Sequence, residues 1–475
     1  MLIKSLKEEI LSYLEDSSNL RTGTCEGVFI PEDEKETLEA VNICLSKKEP
    51  FTVSGGGTGT VGGRIPFSGY VISTEKLNKI KNSENNKVCL QSGVVIHNFL
   101  NEIENAGKFY PPYPTEKSAF IGGNVSTNAS GEYSFRFGAT RRYVEKIRMV
   151  TGAGRLIEIQ RGKHFADADG IIRYADMKIP VPSYKTPEIK CSAGYFSKTG
   201  MDLIDLIIGS EGTLGVITEV EVRLMEKLPE RFILILFLKN EERVIEFLSD
   251  VQKKFANELY MLEFFDNFSL EFLKSDFPEI PGKTCAFYIE SVYNDNILEK
   301  WMNLSETYNA VDVIAGSDKK NYERLINFRH RLPENINTYF KKLNITKISL
   351  DLAVSKENFS SLFSFYRSLT SKTNTRTVLF GHIGESHLHF NLFPVDENER
   401  NEVKEIYIKC LRKVLSMGGT VSAEHGIGKI KHRYLEMMYG QKGIGDMLRV
   451  KKIFDPQGLT GPDNLFDYSL VKSYQ

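Results

Sequence analysis

The stretch Phe51-Thr52-Val53-Ser54-Gly55-Gly56-Gly57-Thr58-Gly59-Thr60 is a run of strand-forming residues that empties into glycines. Without Cβ atoms the backbone bends sharply, and several N–H groups can converge on one anion. In physical terms this is a phosphate cradle. It is not a Rossmann fingerprint, which needs a helix directly after the loop; here Arg64-Ile65-Pro66 and a strand follow. Nor is it a Walker loop, because no Gly-Lys-Ser/Thr completes it. A glycine turn without a ligand is the bland alternative for this loop taken alone. Three further segments change the weighting: Ile121-Gly122-Gly123-Asn124-Val125-Ser126-Thr127-Asn128-Ala129-Ser130-Gly131, Phe137-Gly138-Ala139-Thr140, and Ser210-Glu211-Gly212-Thr213-Leu214-Gly215. A large, extended, anionic cofactor lying along several loops accounts for all of them.

Outward from the loop, the pattern reads as alternating elements. Helices are expected over residues 1–11, 32–46 and 96–106, and strands over 70–74 and 87–92. A hairpin is expected over 148–159 around Gly152-Ala153-Gly154. Residues 160–200, rich in Pro, Lys and Tyr, suggest a long irregular surface insertion, and 207–224 returns to strand character. After Pro229 the rhythm changes: strands at 232–238, 285–291 and 311–315 alternate with helices at 241–255 and 298–308. A comparable unit follows, with strands at 347–354 and 377–380, and a final helix over 435–454 stops at Asp455-Pro456-Gln457-Gly458.

The bulk numbers exclude several classes. A chain of 475 residues is too long for one ordinary core, so two or three domains are expected. With 61 basic and 62 acidic residues the net charge is -1, which leaves no field to hold nucleic acid. No apolar run approaches the roughly 20 residues of a membrane span, and the charged start is not a secretory signal. The six cysteines are dispersed without a CxxC pair, which argues for a reducing cytoplasm and against an iron–sulfur module in this chain.

Five of the eight histidines lie in the last hundred residues, four of them in two motifs. One is Gly381-His382-Ile383-Gly384-Glu385-Ser386-His387-Leu388-His389-Phe390-Asn391; the other is Ser422-Ala423-Glu424-His425-Gly426-Ile427-Gly428-Lys429. Histidine titrates near neutral pH and is the commonest nitrogen ligand for metals. Clustered with a carboxylate and glycines, it points to a catalytic or metal centre. On one strand His387, His389 and Asn391 share a face. His382, seven positions from His389, would face the other way unless Gly384 turns the chain.

Taken together, these motifs resemble the FAD-binding oxidoreductases of the vanillyl-alcohol oxidase type. The nearest branch contains D-lactate dehydrogenases, D-2-hydroxyglutarate dehydrogenases and the glycolate oxidase flavin subunit. The resemblance runs from about Thr22 to Phe466 and includes Pro114-Thr115 and the Gly209–Ile217 segment. It implies an α+β fold: a discontinuous FAD-binding domain, residues 1–226 and 421–475, with an antiparallel α+β substrate cap at 227–420. Ser54, Gly55, Gly56, Gly57, Thr58, Gly59 and Thr60 would hold the pyrophosphate. Thr115, Gly122, Gly123, Asn124 and Thr127 would line the diphosphate and isoalloxazine. Glu211, Gly215 and Ile217 would line the adenine–ribose and ring region. No histidine stands where this family links flavin covalently, so FAD is expected to be non-covalent.

The resemblance also assigns His382, His389 and Glu424 to a divalent metal such as zinc, His425 to the general base and Asn391 to a polar substrate contact. Arg329, in Phe328-Arg329-His330-Arg331-Leu332-Pro333 at the end of an expected helix, would clamp the substrate carboxylate, with Lys347 as a second basic contact. An Arg fork suits a carboxylate because it forms two parallel hydrogen bonds. Two departures stand out: Gly384-Glu385-Ser386-His387 replaces the family's Gly-Asp-Gly-Asn, and Pro333 is unexpected. The extra His387 is a third nitrogen ligand or a replacement for the usual substrate contact.

The implied function is an FAD-dependent dehydrogenase. It oxidises a D-2-hydroxy acid of the lactate, glycolate or 2-hydroxyglutarate type to the 2-keto acid, with hydride passing to flavin N5. The electron acceptor would be a separate partner: a quinone, an electron-transfer flavoprotein or an iron–sulfur protein. Homodimer formation and peripheral membrane association stay open. Two alternatives remain at this point: a transferase like the alkyl-dihydroxyacetone-phosphate synthases, which share the FAD fold, and a flavin-binding protein with a decayed site.

Overall fold

The computed structural model describes residues 1–474 apart from Asn85, Asn344 and Thr346. Three sheets position the site. The first is four-stranded, in the order Leu2–Lys4, Gly27–Ile30, Tyr70–Ser73, Phe51–Ser54, and its last three strands are parallel. Gly27–Ile30 and Tyr70–Ser73 are buried at every position. Unbroken apolar runs are what a parallel sheet covered on both faces requires. The helix Glu34–Lys47 packs here through Ala40, Val41 and Cys44. It begins where the Asp33 carboxylate accepts the Glu36 N–H at 2.8 Å.

The second sheet is antiparallel, in the order Ile80–Glu84, Lys87–Gln91, Gly215–Arg223, Val144–Thr151, Leu156–Gln160. The chain's end returns to the first sheet: Phe51 N–H donates to Leu459 O, and Gly461 N–H donates to Phe51 O, both at 2.8 Å. The C-terminal segment therefore lies directly beside the strand that feeds the glycine loop.

The third sheet has seven antiparallel strands in the order Asp312–Gly316, Arg231–Leu238, Cys285–Val292, Leu259–Phe265, Arg376–Gly381, His387–Phe393, Ile348–Ala353. Period-two alternation gives it two apolar faces. Leu234, Phe264, Phe287 and Phe390 join the cluster containing Phe247, Leu304, Phe363 and Val403 from four helices. Ile235, Tyr288, Val378 and Phe393 join the cluster formed with Leu325, Phe328, Leu332 and Ile336 of the helix Lys319–Lys342.

Five departures from the sequence reading have physical causes. Residues 1–11 do not form one helix: Leu2–Lys4 is a strand paired with Gly27–Ile30, and tertiary pairing overrides the local periodicity. Residues 207–224 are not one strand, because Leu203–Ile207 is helical and the strand begins only at Gly215, after the glycine turn. The 160–200 insertion carries a hairpin, Ile171–Tyr174 with Met177–Pro180. The two units after Pro229 are one sheet, joined where Leu259–Phe265 meets Arg376–Gly381 through Phe264 opposite Gly381. Finally, Arg329 lies mid-helix: Lys319–Lys342 continues through Pro333, its apolar stripe buried along the whole length.

Candidate active site

Gly138 and Ala139 line a second cleft, whereas the other three of the four glycine segments open onto one cleft of about 900 Å³. Gly55, Gly56, Gly57, Thr58, Gly59, Gly122, Gly123, Asn124, Thr127, Glu211 and Ile217 line it, and so does His425 from the far end of the chain. A Cβ placed on Gly59 or Gly123 would meet nothing within 4 Å, so these positions face open space that a ligand's backbone contacts can fill. The buried Asn124 Nδ2 and Ser92 Oγ on the cleft wall have no hydrogen-bond partner. Buried polar groups are normally satisfied, so the cradle is shaped for a polar, extended ligand such as FAD.

Four expected contacts fall elsewhere. Ser54, Thr60, Thr115 and Gly215 are absent from the cleft wall: Ser54 is buried in the sheet, whereas Thr60 and Thr115 are exposed. Gly215 has φ +150°, and a side chain there would run into the Val150 carbonyl, so its glycine serves strand pairing. Glu211 does more than line the cleft. Its carboxylate accepts the N–H groups of Ile427 at 2.8 Å and Gly428 at 2.7 Å, and burial pushes its pKa up to about 7. Lys429 N–H donates to Val61 O at 2.9 Å. The histidine-bearing loop is thus tied to both glycine segments.

The histidines come together through a hairpin. His382 directly follows the strand Arg376–Gly381 and His389 lies on the next, with Ile383–Glu385 forming a single 3-10 turn between them. The bend falls at Gly381, φ +111°, and Ser386, φ +56°, rather than at Gly384 as expected. A Cβ on Gly381 would sit 2.8 Å from His389 Cδ2, so glycine makes room for that ring. Gly384 instead gives its space to Phe135.

His382 Nε2 lies 3.6 Å from Glu424 Oε2, and His389 Nε2 lies 3.4 Å from Glu424 Oε1. One donor atom from each residue falls within 4.8 Å of the others, a spacing that one metal ion can bridge. Behind His382, Glu263 Oε1 stands 3.2 Å from Nδ1 and also accepts Arg329 Nε–H at 2.8 Å. A carboxylate on the far nitrogen fixes the ring and turns Nε2 toward Glu424. Lys190 Nζ stands 2.7 Å from Glu424 Oε2 and 3.2 Å from Glu385 Oε2. Burial opposes ionisation of Glu424, but Lys190 and the histidines outweigh it and hold the carboxyl well below its usual range. Burial drives His389 well below its ordinary value, leaving the neutral, ligating form.

Asp351 organises the other histidines. It accepts Ser422 Oγ–H at 2.7 Å and the His425 N–H at 3.0 Å, and it sits 3.4 Å from Lys431 Nζ. His425 Nδ1 is 3.3 Å from Asp351 Oδ2, while its Nε2 is 3.5 Å from Glu424 Oε1. The ring is 32% exposed and reaches the cleft. His387 is fully buried, with Nε2 3.1 Å from Asp351 Oδ1 and off the line of a full hydrogen bond.

The substrate anchors are placed unevenly. Arg329 is buried beside the centre, between Glu263 and Glu132, the latter 3.7 Å from Nη1. Asn391 follows His389 by two strand positions, and its buried Oδ1 has no partner. Lys347 is exposed and donates to Asn337 Oδ1 at 2.9 Å, two strand positions before Ser349, the residue paired with Asn391. The sequence reading missed Lys190, Glu263 and Asp351. The last two carried a signal: each is the lone acid of its strand, set between apolar neighbours, Leu262 and Phe264 for Glu263 and Leu350 and Leu352 for Asp351.

A cradle for an extended anion joined to a His–Glu centre defines a flavin-dependent oxidoreductase. Residues 25–160 match the family described as FAD binding domain, and residues 228–465 match FAD linked oxidases, C-terminal domain. The chain belongs to the FAD-linked oxidases, in the vanillyl-alcohol oxidase branch. It is 29% identical over 452 residues to a D-lactate dehydrogenase of Anaerostipes hadrus, covering 91% of this chain and 87% of that one. It is 27% identical over 470 residues to the glycolate oxidase subunit GlcD of Bacillus subtilis, covering 96% and 92%. With a D-2-hydroxyglutarate dehydrogenase of Stutzerimonas stutzeri it shares 26% over 462 residues, covering 92% and 90%. A solved alkyldihydroxyacetonephosphate synthase superposes with a TM-score of 0.69 over 97% of this chain and 82% of that one. At 14% identity that likeness shows the fold alone. No helix among the described residues is long and apolar enough to cross a membrane.

Proposed function

We propose that this FAD-dependent oxidoreductase converts a D-2-hydroxy acid to the 2-keto acid. The observation that carries the reading is His425, half-buried on the wall of the FAD cleft, with Nδ1 held by Asp351 and Nε2 beside Glu424. The dehydrogenase and oxidase names of relatives aligned along nearly the whole chain support it.

In this reading His425 accepts the hydroxyl proton at Nε2, and the buried Asp351 carboxylate stabilises the imidazolium that forms. Arg329 turns the N–H groups not taken by Glu263 toward the substrate's α-carboxylate, and Asn391 offers its unpartnered amide oxygen. Bound non-covalently, FAD supplies the two-electron acceptor. A divalent ion such as zinc, held by His382, His389 and Glu424, would add Lewis acidity at the hydroxyl. Residues 1–226 with 421–475 act as the FAD domain and 227–420 as the cap. A separate protein or quinone takes the electrons onward, since the six cysteines are dispersed without a CxxC pair to hold an iron–sulfur cluster, and that usage suits a reducing cytoplasm.

The ordered His–Glu–Asp geometry favours catalysis over a decayed site, and His425 beside Glu424 favours oxidation over group transfer. The test is anaerobic bleaching of the bound flavin. A panel of D-2-hydroxy acids should bleach it within the assay, and a flavin reduced by dithionite but by no acid would end this reading.

A further inference from the structure

The second cleft, of about 1760 Å³, differs from the flavin cleft in the charge of its wall. Besides His425, the flavin cleft has one basic wall residue, Arg64, against the acids Asp16 and Glu211. The second cleft has six basic wall residues against Glu188 and Glu385. Three of the six stand beside carboxylates. Arg141 is 3.7 Å from Asp205, Lys185 is 3.3 Å from Glu188, and Lys190 is 3.2 Å from Glu385. The other three, Arg142, Lys198 and Lys356, are exposed and form no ion pair among the described residues. Arg142 donates only a long bond, 3.5 Å, to the Phe137 carbonyl. Glu357, next to Lys356 in the chain, is not on the wall.

This cleft also touches the histidine centre. Lys190 Nζ lies 2.7 Å from Glu424 Oε2, and Glu385 Oε2 lies 4.0 Å from His382 Nδ1. Gly384 and Ser386, from the turn between His382 and His389, are on the same wall. Cleft and centre meet at Lys190, Glu385 and Ser134, whose Oγ donates to Glu385 Oε2 at 2.6 Å. Lys190 and Glu385 are long side chains that turn about several bonds.

Resting on the 2-hydroxy-acid reading above, we propose that the second cleft is the port through which the anionic hydroxy acid reaches the histidine centre. FAD seated on the glycine loops occupies the cleft that His425 lines, so the acid needs another approach. A concave wall carrying unpaired cations focuses field lines and raises the local concentration of a small anion. The acid gathers beside Arg142, Lys198 and Lys356, and rotation of the Lys190 and Glu385 side chains admits it to the centre. The cleft acts on encounter alone; no bond forms or breaks there.

The experiment follows anaerobic flavin reduction on the holoenzyme with the fastest-bleaching acid of the D-2-hydroxy-acid panel. It separates the second-order rate at low acid from the limiting rate at saturation. Lys198→Glu combined with Lys356→Glu should lower the second-order rate about tenfold at low ionic strength and leave the limiting rate near wild type. At about 0.5 M salt the gap should close to about twofold, because the Debye length falls to a few ångströms. Lys300→Glu, an exposed reversal on the helix Asp295–Thr307 and off both walls, should leave both rates near wild type. Ala139→Trp adds bulk to the wall without charge and should lower the second-order rate at every salt concentration; Pro187→Trp serves if that variant fails to fold. A double reversal that keeps the wild-type rate and salt dependence overturns the inference and leaves the functional reading standing. So does a slowed double reversal beside an unaffected tryptophan variant, since the field would then act without the cleft being a path. A fall confined to the limiting rate also counts against the inference. Bleaching by no acid overturns both it and the functional reading.

Discussion

The two halves of the site are built on opposite principles. The cofactor cleft is made mainly by leaving side chains out: Gly59 and Gly123 present bare backbone to open space. The histidine centre is made by crowding charge in: Lys190, Glu263, Arg329, Asp351 and Glu424 arrive from five separate segments and meet within a few ångströms. The first kind of site tolerates loss of a contact, since many amides share the ligand. The second does not, because each buried charge is satisfied by one or two named partners.

The sharpest way to break this contrast is to remove the base. His425→Asn should lower the rate of flavin reduction by about 10³-fold, within the range of general acid–base contributions. FAD content should stay near wild type, because His425 contributes only one wall of a cleft built by glycine loops. Loss of flavin together with activity would show that the two halves are not separable in this way.

Asp351→Asn tests the crowded half for stability. It leaves Lys431 and His425 without their shared carboxylate while keeping nearly the same shape. Breaking a buried pair from one side costs about 3–5 kcal/mol, so urea unfolding should show a large fall in midpoint. A midpoint unchanged from wild type would mean that Asp351 does not hold the centre together.

The contrast also explains what could be read in advance. Glycines in a row after Phe51-Thr52-Val53 announce themselves, and so do histidines spaced with glutamate, since both signals are local. The cleft and the His382, His389, Glu424 and His425 grouping were therefore legible. Lys190 was not: it sits in an irregular insertion with no periodicity, and only the fold brings it to Glu424. The strand Leu259–Phe265, buried at every position, gave no alternation to read, so the continuity of the seven-stranded sheet stayed hidden, and the lone acid Glu263 within it was the one mark it left. The N-terminal strand was lost for a related reason. Its partner is Gly27–Ile30, and local helical spacing carries no trace of that pairing.

Glycines separate structural from ligand-facing roles, which sharpens the comparison further. Gly215→Ala places a side chain against the Val150 carbonyl at φ +150° and should lower the apoprotein's Tm by several degrees. Gly123→Ala meets no protein atom within 4 Å, so the apoprotein's Tm should hold while FAD affinity falls. Thermal scans with and without FAD give both answers. Equal behaviour of the two variants would erase the distinction between them.

The smallest effect concerns the seam where the two halves meet. Glu211 lies on the cleft wall, yet its carboxylate holds the 427–428 amides of the histidine loop. Burial raises its pKa from 4.5 to about 7, so between those values the folded protein keeps a proton that the unfolded chain has released. Stability from this group is therefore fully present below about pH 4.5 and is lost as pH rises through 7. The loss amounts to about 3 kcal/mol at most. Glu211→Gln cannot titrate, so the stability difference between variant and wild-type apoprotein should shift by that order between pH 5 and 8, with the variant gaining relative to wild type as pH rises. Urea midpoints across that range measure it. A difference that stays constant with pH would mean that Glu211 is ionised throughout, held by the two amides and by Lys429 and Lys431 more strongly than burial opposes it.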